Sequence, residues 1–366
     1  MKFKFIELNS LLLFMNYYHT QTDSGYPIVI PLTFRDYKVI KTIGKGSFAT
    51  VVEVTEINTN INYAAKIIPK KSILTYDQSK MIENEILILQ KICHPNIIKL
   101  YEAFTLTNSK NEEYFVLIQE LCSNGNLFKY VMTHGFKNER EKRMISRKIT
   151  EAVEYLHNEG LAHADIKPEN VLLDKHKNPK LCDFNLSKIV NEADPYSHCG
   201  SCLYAAPEMF QSGPVNFQKA DIWSLGMMLY SISEMSYPYR SLNEAHKGIL
   251  FYNTNNNQLI KFTKQSLNVN PLRRSNAHEL LNDPYLTLNY ENNDDSDMLF
   301  ILKQDSISKA KTSPNLTKIN KLNEKVKIDD DNEEKEEEDI PEACSSFSDD
   351  CDNLESEETF EMLFGH

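Results

Sequence analysis

Apolar residues recur along this chain in two rhythms, one giving way to the other near its middle. The runs Tyr37–Ile43, Val51–Val54 and Tyr63–Ile68 are short, β-branched and bounded by turn residues, as strands are. Residues 79–92 instead place Ile82, Ile86, Leu89 and Ile92 at helical spacing before His94-Pro95 ends the pattern. Two further strands are predicted over Ile97–Phe104 and Tyr114–Glu120, then a linker from Cys122 to Asn126. From there the period is 3.6. Helices are predicted over Leu127–Thr133 and Glu139–Asn158, the latter with Ile145, Ile149, Val153 and Leu156 on one face. Residues 1 to about 33 show no clear period and contain Tyr26-Pro27 and Ile30-Pro31, which predicts an irregular lead-in. A strand-rich small lobe therefore hands over to a helix-rich large one, and the cleft between them is a natural ligand site.

Composition sharpens this outline. With 366 residues, 41% of them apolar, the chain can bury one large core or two lobes and leave a tail. Its net charge of −12 is misleading, because from Asp329 onward 17 acids stand against the single Lys335. The remainder is slightly basic and gives no argument for nucleic-acid binding. Seven scattered cysteines without histidine partners indicate neither a zinc site nor a disulfide framework, which fits a reducing, intracellular compartment, cytoplasmic or nuclear. Leu11–Met15 is too short to span a membrane and, following Glu7, makes a poor signal peptide.

The chemistry concentrates in His163–Leu173, where Asp165, Lys167 and Asn170 stand at positions 0, +2 and +5. Asp165 can orient a hydroxyl and accept its proton, Lys167 can neutralise a transferring phosphoryl group, and Asn170 can offer an oxygen to Mg²⁺. A second acid, Asp183, follows a short apolar strand; two acids beside one anionic ligand imply an intervening cation. Upstream, Gly44-Lys45-Gly46-Ser47-Phe48-Ala49 interrupts two strands as a hairpin turn whose backbone N–H groups can approach phosphate oxygens. A dinucleotide fold would need a helix directly after the glycines, where this sequence continues as a strand, so the turn by itself fits either an ordinary hairpin or a lid over phosphates. Lys66 lies inside an apolar strand and needs an anionic partner, for which Glu85 on the following helix is the candidate.

In this order the residues resemble the eukaryotic protein kinase family from Tyr37 to about Leu288: Gly44-x-Gly46-x-x-Ala49-x-Val51, Lys66, Glu85, Asp165 with Asn170, Asp183, Ala206-Pro207-Glu208, Asp221–Gly226 and Arg274. The resemblance implies an α+β bilobal fold: an extension over 1–36, a small lobe over 37–121, a large lobe over 122–288, and an unfolded tail over 289–366. It implies ATP and Mg²⁺ as cofactors, with Lys66 on the α and β phosphates and paired with Glu85. Asp165 is the implied base, and Asn170 and Asp183 the implied metal ligands. Ile43, Val51, Ala64 and Leu172 would enclose the adenine, Gln119 would stand as gatekeeper, and Glu120 and Cys122 would supply hinge backbone bonds. Leu89, Leu100, His163 and Phe184 would stack between the lobes, and Arg274 would pair with Glu208.

Lys167 and Ser201 imply serine or threonine in protein substrates, and the region around Cys199–Glu208 is most similar to the calcium/calmodulin-dependent and AMP-activated group. The stretch from Lys247 to Leu259 is shorter than is usual in that group. Glu169 resembles an acid that receives a basic substrate residue. Three positions depart from the family. Ala164 replaces the arginine that clamps a phosphorylated activation loop, so phosphate on Ser197 would find little to bind. Asn185 replaces a glycine at which positive φ is expected, and Ala49 replaces the last loop glycine. Cys182 is expected to be a packed small residue, the alternative being a thiol reachable from the ATP site.

In the tail, Met298–Leu302 and the lysine-rich stretch up to Lys327 suggest an autoinhibitory segment or one for a calmodulin-like partner, but Ser313-Pro314 interrupts the stretch and favours a linker; Ser348 and Ser356 precede acids. Two functions compete: an active ATP-dependent serine/threonine kinase, and a pseudokinase acting as a binding or scaffold module. The chemically indispensable side chains are all present, which favours the enzyme.

Overall fold

The computed structural model describes residues 17–73, 75–190, 201–211, 213–238, 249, 251 and 253–287. Its first element corrects the irregular lead-in. β1 (Tyr17–Gln21) and β2 (Pro27–Pro31) pair antiparallel, Tyr17 opposite Pro31 and Gln21 opposite Pro27. Pro27 and Pro31 bound β2 rather than break it, since an edge strand tolerates a missing donor at its ends.

β3 (Thr33–Phe34), β4 (Tyr37–Lys45), β5 (Thr50–Glu56) and β6 (Asn62–Pro69) follow. Then come helix α1 (Tyr76–Lys91), β7 (Leu100–Thr107) and β8 (Glu113–Gln119). The strands form one six-stranded antiparallel sheet in the order β3-β4-β5-β6-β8-β7. Period-2 alternation sorts their side chains between the faces. Val52, Val54, Ala65, Ile67, Val116 and Ile118 form one buried face, onto which Ile28 and Ile30 of β2 pack with no exposed surface. Ile68 and Leu117 lie on the other, against Ile82 of α1. Lys66 shares this second face. α1 starts earlier than its apolar pattern predicts because Thr75 and Gln78 form a reciprocal capping box.

The large lobe is helical. α2 (Leu127–His134) and α3 (Glu139–Asn158) start at Asn126 and Asn138, whose side chains accept backbone N–H groups of the first turn. Short strands β9 (Leu161–Ala162), β10 (Val171–Leu173), β11 (Pro179–Leu181) and β12 (Lys188–Ile189) pair as β10–β11 and β9–β12, framing residues 163–170 and 182–187. α4 (Phe217–Glu234) is buried along most of its length. It approaches α5 (Asn257–Ser266) so closely that a Cβ on Gly226 would lie 2.6 Å from that of Ser266. α6 (Ala277–Leu281) and α7 (Pro284–Thr287) complete the lobe.

Among the described residues no helix is long and apolar enough to cross a membrane. Ser197, residues 247, 248, 250 and 252 of the short stretch from Lys247, Leu11–Met15 and the tail features from Met298 to Ser356 lie outside the described residues.

Candidate active site

The sheet register brings the small-lobe candidates onto one face. Val51 lies opposite Lys66, Lys66 opposite Leu117, and Ala64 opposite Gln119, so all five point to the side that carries α1. Ile43, Gly44 and Lys45 end β4; Gly46, Ser47, Phe48 and Ala49 make the turn, closed by Gly46 N–H donating to Ala49 O at 2.8 Å. Neither glycine is demanded by the fold itself. A Cβ on Gly44 would meet Val51 at an ordinary 3.6 Å, and one on Gly46 would meet only Ala49 O at 3.7 Å. Their bare backbone is thus open to a ligand, and the apolar side chains of Ile43 and Phe48 beside it are exposed.

Lys66 is the junction. Its Nζ lies 2.8 Å from both Glu85 carboxylate oxygens and 3.0 Å from Asp183 Oδ1, tying strand, α1 and the segment after β11 together. Burial works against the Lys66 charge, but the Asp183 and Glu85 carboxylates outweigh it and hold the ammonium protonated. The same lysine keeps the Asp183 carboxyl below its ordinary range, so that it presents ionised oxygens. Glu85, with almost no exposed surface, is pushed up by desolvation and held back by Lys66.

Residues 163–170 are fixed from beneath. Buried Asp221 of α4 accepts the backbone N–H groups of His163 and Ala164 at 2.8 Å each and contacts His157 Nε2 at 3.0 Å. Within the loop, Asn170 Nδ2 donates to Asp165 O at 2.9 Å and to Oδ2 at 2.7 Å, which turns the amide oxygen of Asn170 the other way. Lys167 Nζ lies 2.8 Å from Asp165 Oδ2 and donates to Ser201 Oγ at 2.5 Å, while Ser201 N–H donates to Asp165 Oδ1 at 3.0 Å. The structure therefore gathers Asp165, Lys167, Asn170 and Ser201 in one group, and Lys66, Glu85 and Asp183 in an adjoining one. A carboxylate and an amide oxygen are the hard ligands that Mg²⁺ prefers, so the donor set of Asn170 and Asp183 fits that ion.

The remaining candidates lie around these groups. Glu120 and Cys122 follow β8, with Glu120 N–H donating to Lys99 O at 2.9 Å and burial pushing the Cys122 thiol up to about 12. Leu172 of β10 packs at the margin of the large-lobe core. His163 and Phe184 stack edge-on at 4.8 Å, and Leu89, Leu100 and Phe184 belong to the same core. Arg274, almost wholly buried, grips Glu208 through two bonds of 2.6 and 2.9 Å. Cys182 donates its thiol to Asn170 O at 3.3 Å and is raised well above the ordinary thiol range by burial, which makes it a packed residue rather than a reactive one.

Some features differ from the sequence-based expectations. Positive φ occurs at Ala164 (63°) and Asp183 (67°), and not at Asn185, whose Oδ1 is instead buried with no hydrogen-bond partner. Glu169 Oε2 is likewise buried without a partner, and its carboxyl is raised by desolvation. The scattered cysteines hide one close pair, Cys199 and Cys202 at C-x-x-C spacing; Cys202 is a half-buried free thiol and Cys199 lies outside the described residues. Two contacts had no sequence signal. Asn84 of α1 donates to Ser187 O at 2.8 Å, and the β1–β2 turn bonds to the glycine-containing turn.

The description "Protein kinase domain" matches residues 37–286. The carbon catabolite-derepressing protein kinases of Candida glabrata and Saccharomyces cerevisiae are each 35% identical over 261 residues, covering 68% of this chain and 41% and 40% of their own lengths. The serine/threonine-protein kinase cds1 of Schizosaccharomyces pombe is 31% identical over 271 residues, covering 68% of this chain and 58% of its own. The chain thus spans about two fifths to under three fifths of the length of these curated relatives. With that match running across both lobes and through every side chain gathered above, the chain belongs to the protein kinase family.

Proposed function

We propose that the chain is an ATP-dependent protein kinase that transfers the γ-phosphoryl group to serine or threonine hydroxyls of proteins. The observation that carries this reading is the convergence of Lys66, bonded to both Glu85 and Asp183, with the Asp165–Lys167–Asn170 group. Lys66, held charged and pointed by Glu85, grips nucleotide phosphates. Asn170 and Asp183 would hold Mg²⁺, which when bound neutralises charge on those phosphates.

Asp165, its carboxylate fixed by Lys167, Asn170 and Ser201 N–H, orients the substrate hydroxyl and accepts its proton. Lys167, between Asp165 and Ser201, offers positive charge to the group in transfer. The names of the relatives, which are protein kinases and in one case a serine/threonine-protein kinase, support the same reading. We also infer an intracellular setting.

Radiolabelled phosphate transfer from ATP to a generic protein substrate tests the proposal. Asp165→Asn is expected to lower kcat by about 10²–10⁴-fold with the fold intact. Transfer unchanged in Asp165→Asn would overturn the assignment of the base, and wild-type protein without transfer or ATP affinity would overturn the function.

A further inference from the structure

The β1–β2 hairpin is anchored along its body and engages the glycine-containing turn with its tip. Ile28 and Ile30 are fully buried on the sheet face opposite to Lys66. At the same end, Val29 N–H donates to Tyr114 Oη at 3.4 Å, and Val29 O accepts from Asn108 Nδ2 at 3.0 Å. The tip is a β-turn over Thr22–Gly25, closed by Gly25 N–H donating to Thr22 O at 3.0 Å, with Gly25 at φ 81°. From this turn Asp23 N–H donates to Gly46 O at 3.0 Å and Ser24 Oγ donates to Ser47 O at 2.6 Å. Alongside, Thr50 Oγ1 donates to Gln21 O at 3.0 Å, and Thr42 Oγ1 contacts Tyr18 Oη at 3.0 Å and Thr20 Oγ1 at 3.1 Å.

These bonds have a directional consequence. In a trans peptide the C=O and the following N–H point to opposite sides of the chain. Drawing the carbonyls of Gly46 and Ser47 toward the hairpin therefore aims the N–H groups of Ser47 and Phe48 away from it, toward the face that carries Lys66. Ser24 is itself held: Tyr26 N–H donates to Thr22 Oγ1 at 3.0 Å, and Thr22 Oγ1 lies 2.9 Å from Ser24 Oγ, which leaves the Ser24 proton for Ser47 O. Such a relay fixes the hydroxyl before any ligand arrives.

We propose that this hairpin is a clasp that orients the backbone donors of the nucleotide loop, with Ser24 and Asp23 as positioning residues for the phosphates of ATP. The inference rests on reading residues 44–49 as the loop over those phosphates. The clasp lies outside the matched kinase domain, which begins at residue 37. It preorganises donors that in a free loop would have to be ordered by the ligand.

The test uses the full chain and three variants. Ser24→Ala deletes the hydroxyl donor, and Ser24→Thr retains one. Asp23→Pro deletes the N–H donor at the second position of the turn, where proline fits. Ser24→Ala and Asp23→Pro are expected to raise KM and Kd for ATP about three- to tenfold, the loss of one modest hydrogen bond, with kcat at saturating ATP unchanged. Ser24→Thr is expected to restore the wild-type KM, and adenosine, which has no phosphates, is expected to bind all four proteins equally. If Asp23→Pro fails to fold, the Ser24 pair alone decides. Wild-type protein that binds ATP alongside a Ser24→Ala variant that binds it equally well would overturn the clasp and leave the function standing. Equal losses for ATP and adenosine would also overturn it, by showing a merely structural role. Wild-type protein with no ATP affinity would remove the loop assignment and the clasp together.

Discussion

Ala164 sits at φ 63°, where an L side chain costs about 1–2 kcal/mol, and the two backbone bonds to Asp221 hold it there. Glycine adopts this backbone freely but adds about 0.4–1 kcal/mol of unfolded-state entropy. Ala164→Gly is thus expected to stabilise the protein by about 0.5–1 kcal/mol, read from the urea midpoint, and a loss of stability would contradict this account of the loop. The result also bears on what single residues disclosed in advance. The spacing of Asp165, Lys167 and Asn170 could be read directly, because their chemistry lies in the side chains themselves. Positive φ could not: the expectation at Asn185 comes from the glycine that the family carries at that position. Backbone shape at Ala164 is held by a partner far along the chain, Asp221, 57 positions away.

At the scale of the element, the N-terminal hairpin offers the sharpest test. Ile30 has no exposed surface and packs on the sheet face formed by β4 to β8. Ile30→Ala is expected to cost about 2–5 kcal/mol in equilibrium denaturation, whereas a residue in an irregular lead-in would cost almost nothing. The hairpin was hidden for a physical reason. β1 reads Tyr-Tyr-His-Thr-Gln, with little apolar alternation, and β2 is five residues with proline at both ends. Neither strand has a pattern of its own, and both are stabilised by burial against a sheet that comes later in the chain. By contrast α3 was legible to the residue, Glu139–Asn158, since an asparagine cap and four apolar positions on one face mark it locally. Helix α1 fell between these cases: its apolar stripe was visible, while its true start depends on the Thr75–Gln78 box.

Across the whole molecule, the two lobes are joined by bonds that need no modification of the chain. Lys66 of β6 reaches Asp183, Asn84 of α1 reaches Ser187 O, and Ser187 Oγ donates to His163 O at 3.2 Å. Glu85 is already paired with Lys66, so α1 stands in the position that the proposed phosphoryl transfer would require. A phosphorylated activation segment ordinarily contributes by giving an arginine beside the catalytic acid a doubly charged partner. Here that place is a methyl group, Ala164, and its neighbours His163 and Asp165 are held by Asp221, Lys167 and Asn170 instead. A phosphate on Ser197 would therefore have no cation at Ala164 through which to pull the catalytic loop into shape. Ser197→Ala is accordingly expected to change kcat/KM for a peptide substrate by less than about tenfold, equivalent to under about 1.4 kcal/mol of transition-state stabilisation. Steady-state kinetics on protein purified after phosphatase treatment, with and without the substitution, measures this directly, and a loss of several orders of magnitude would show that another basic group takes the arginine's place.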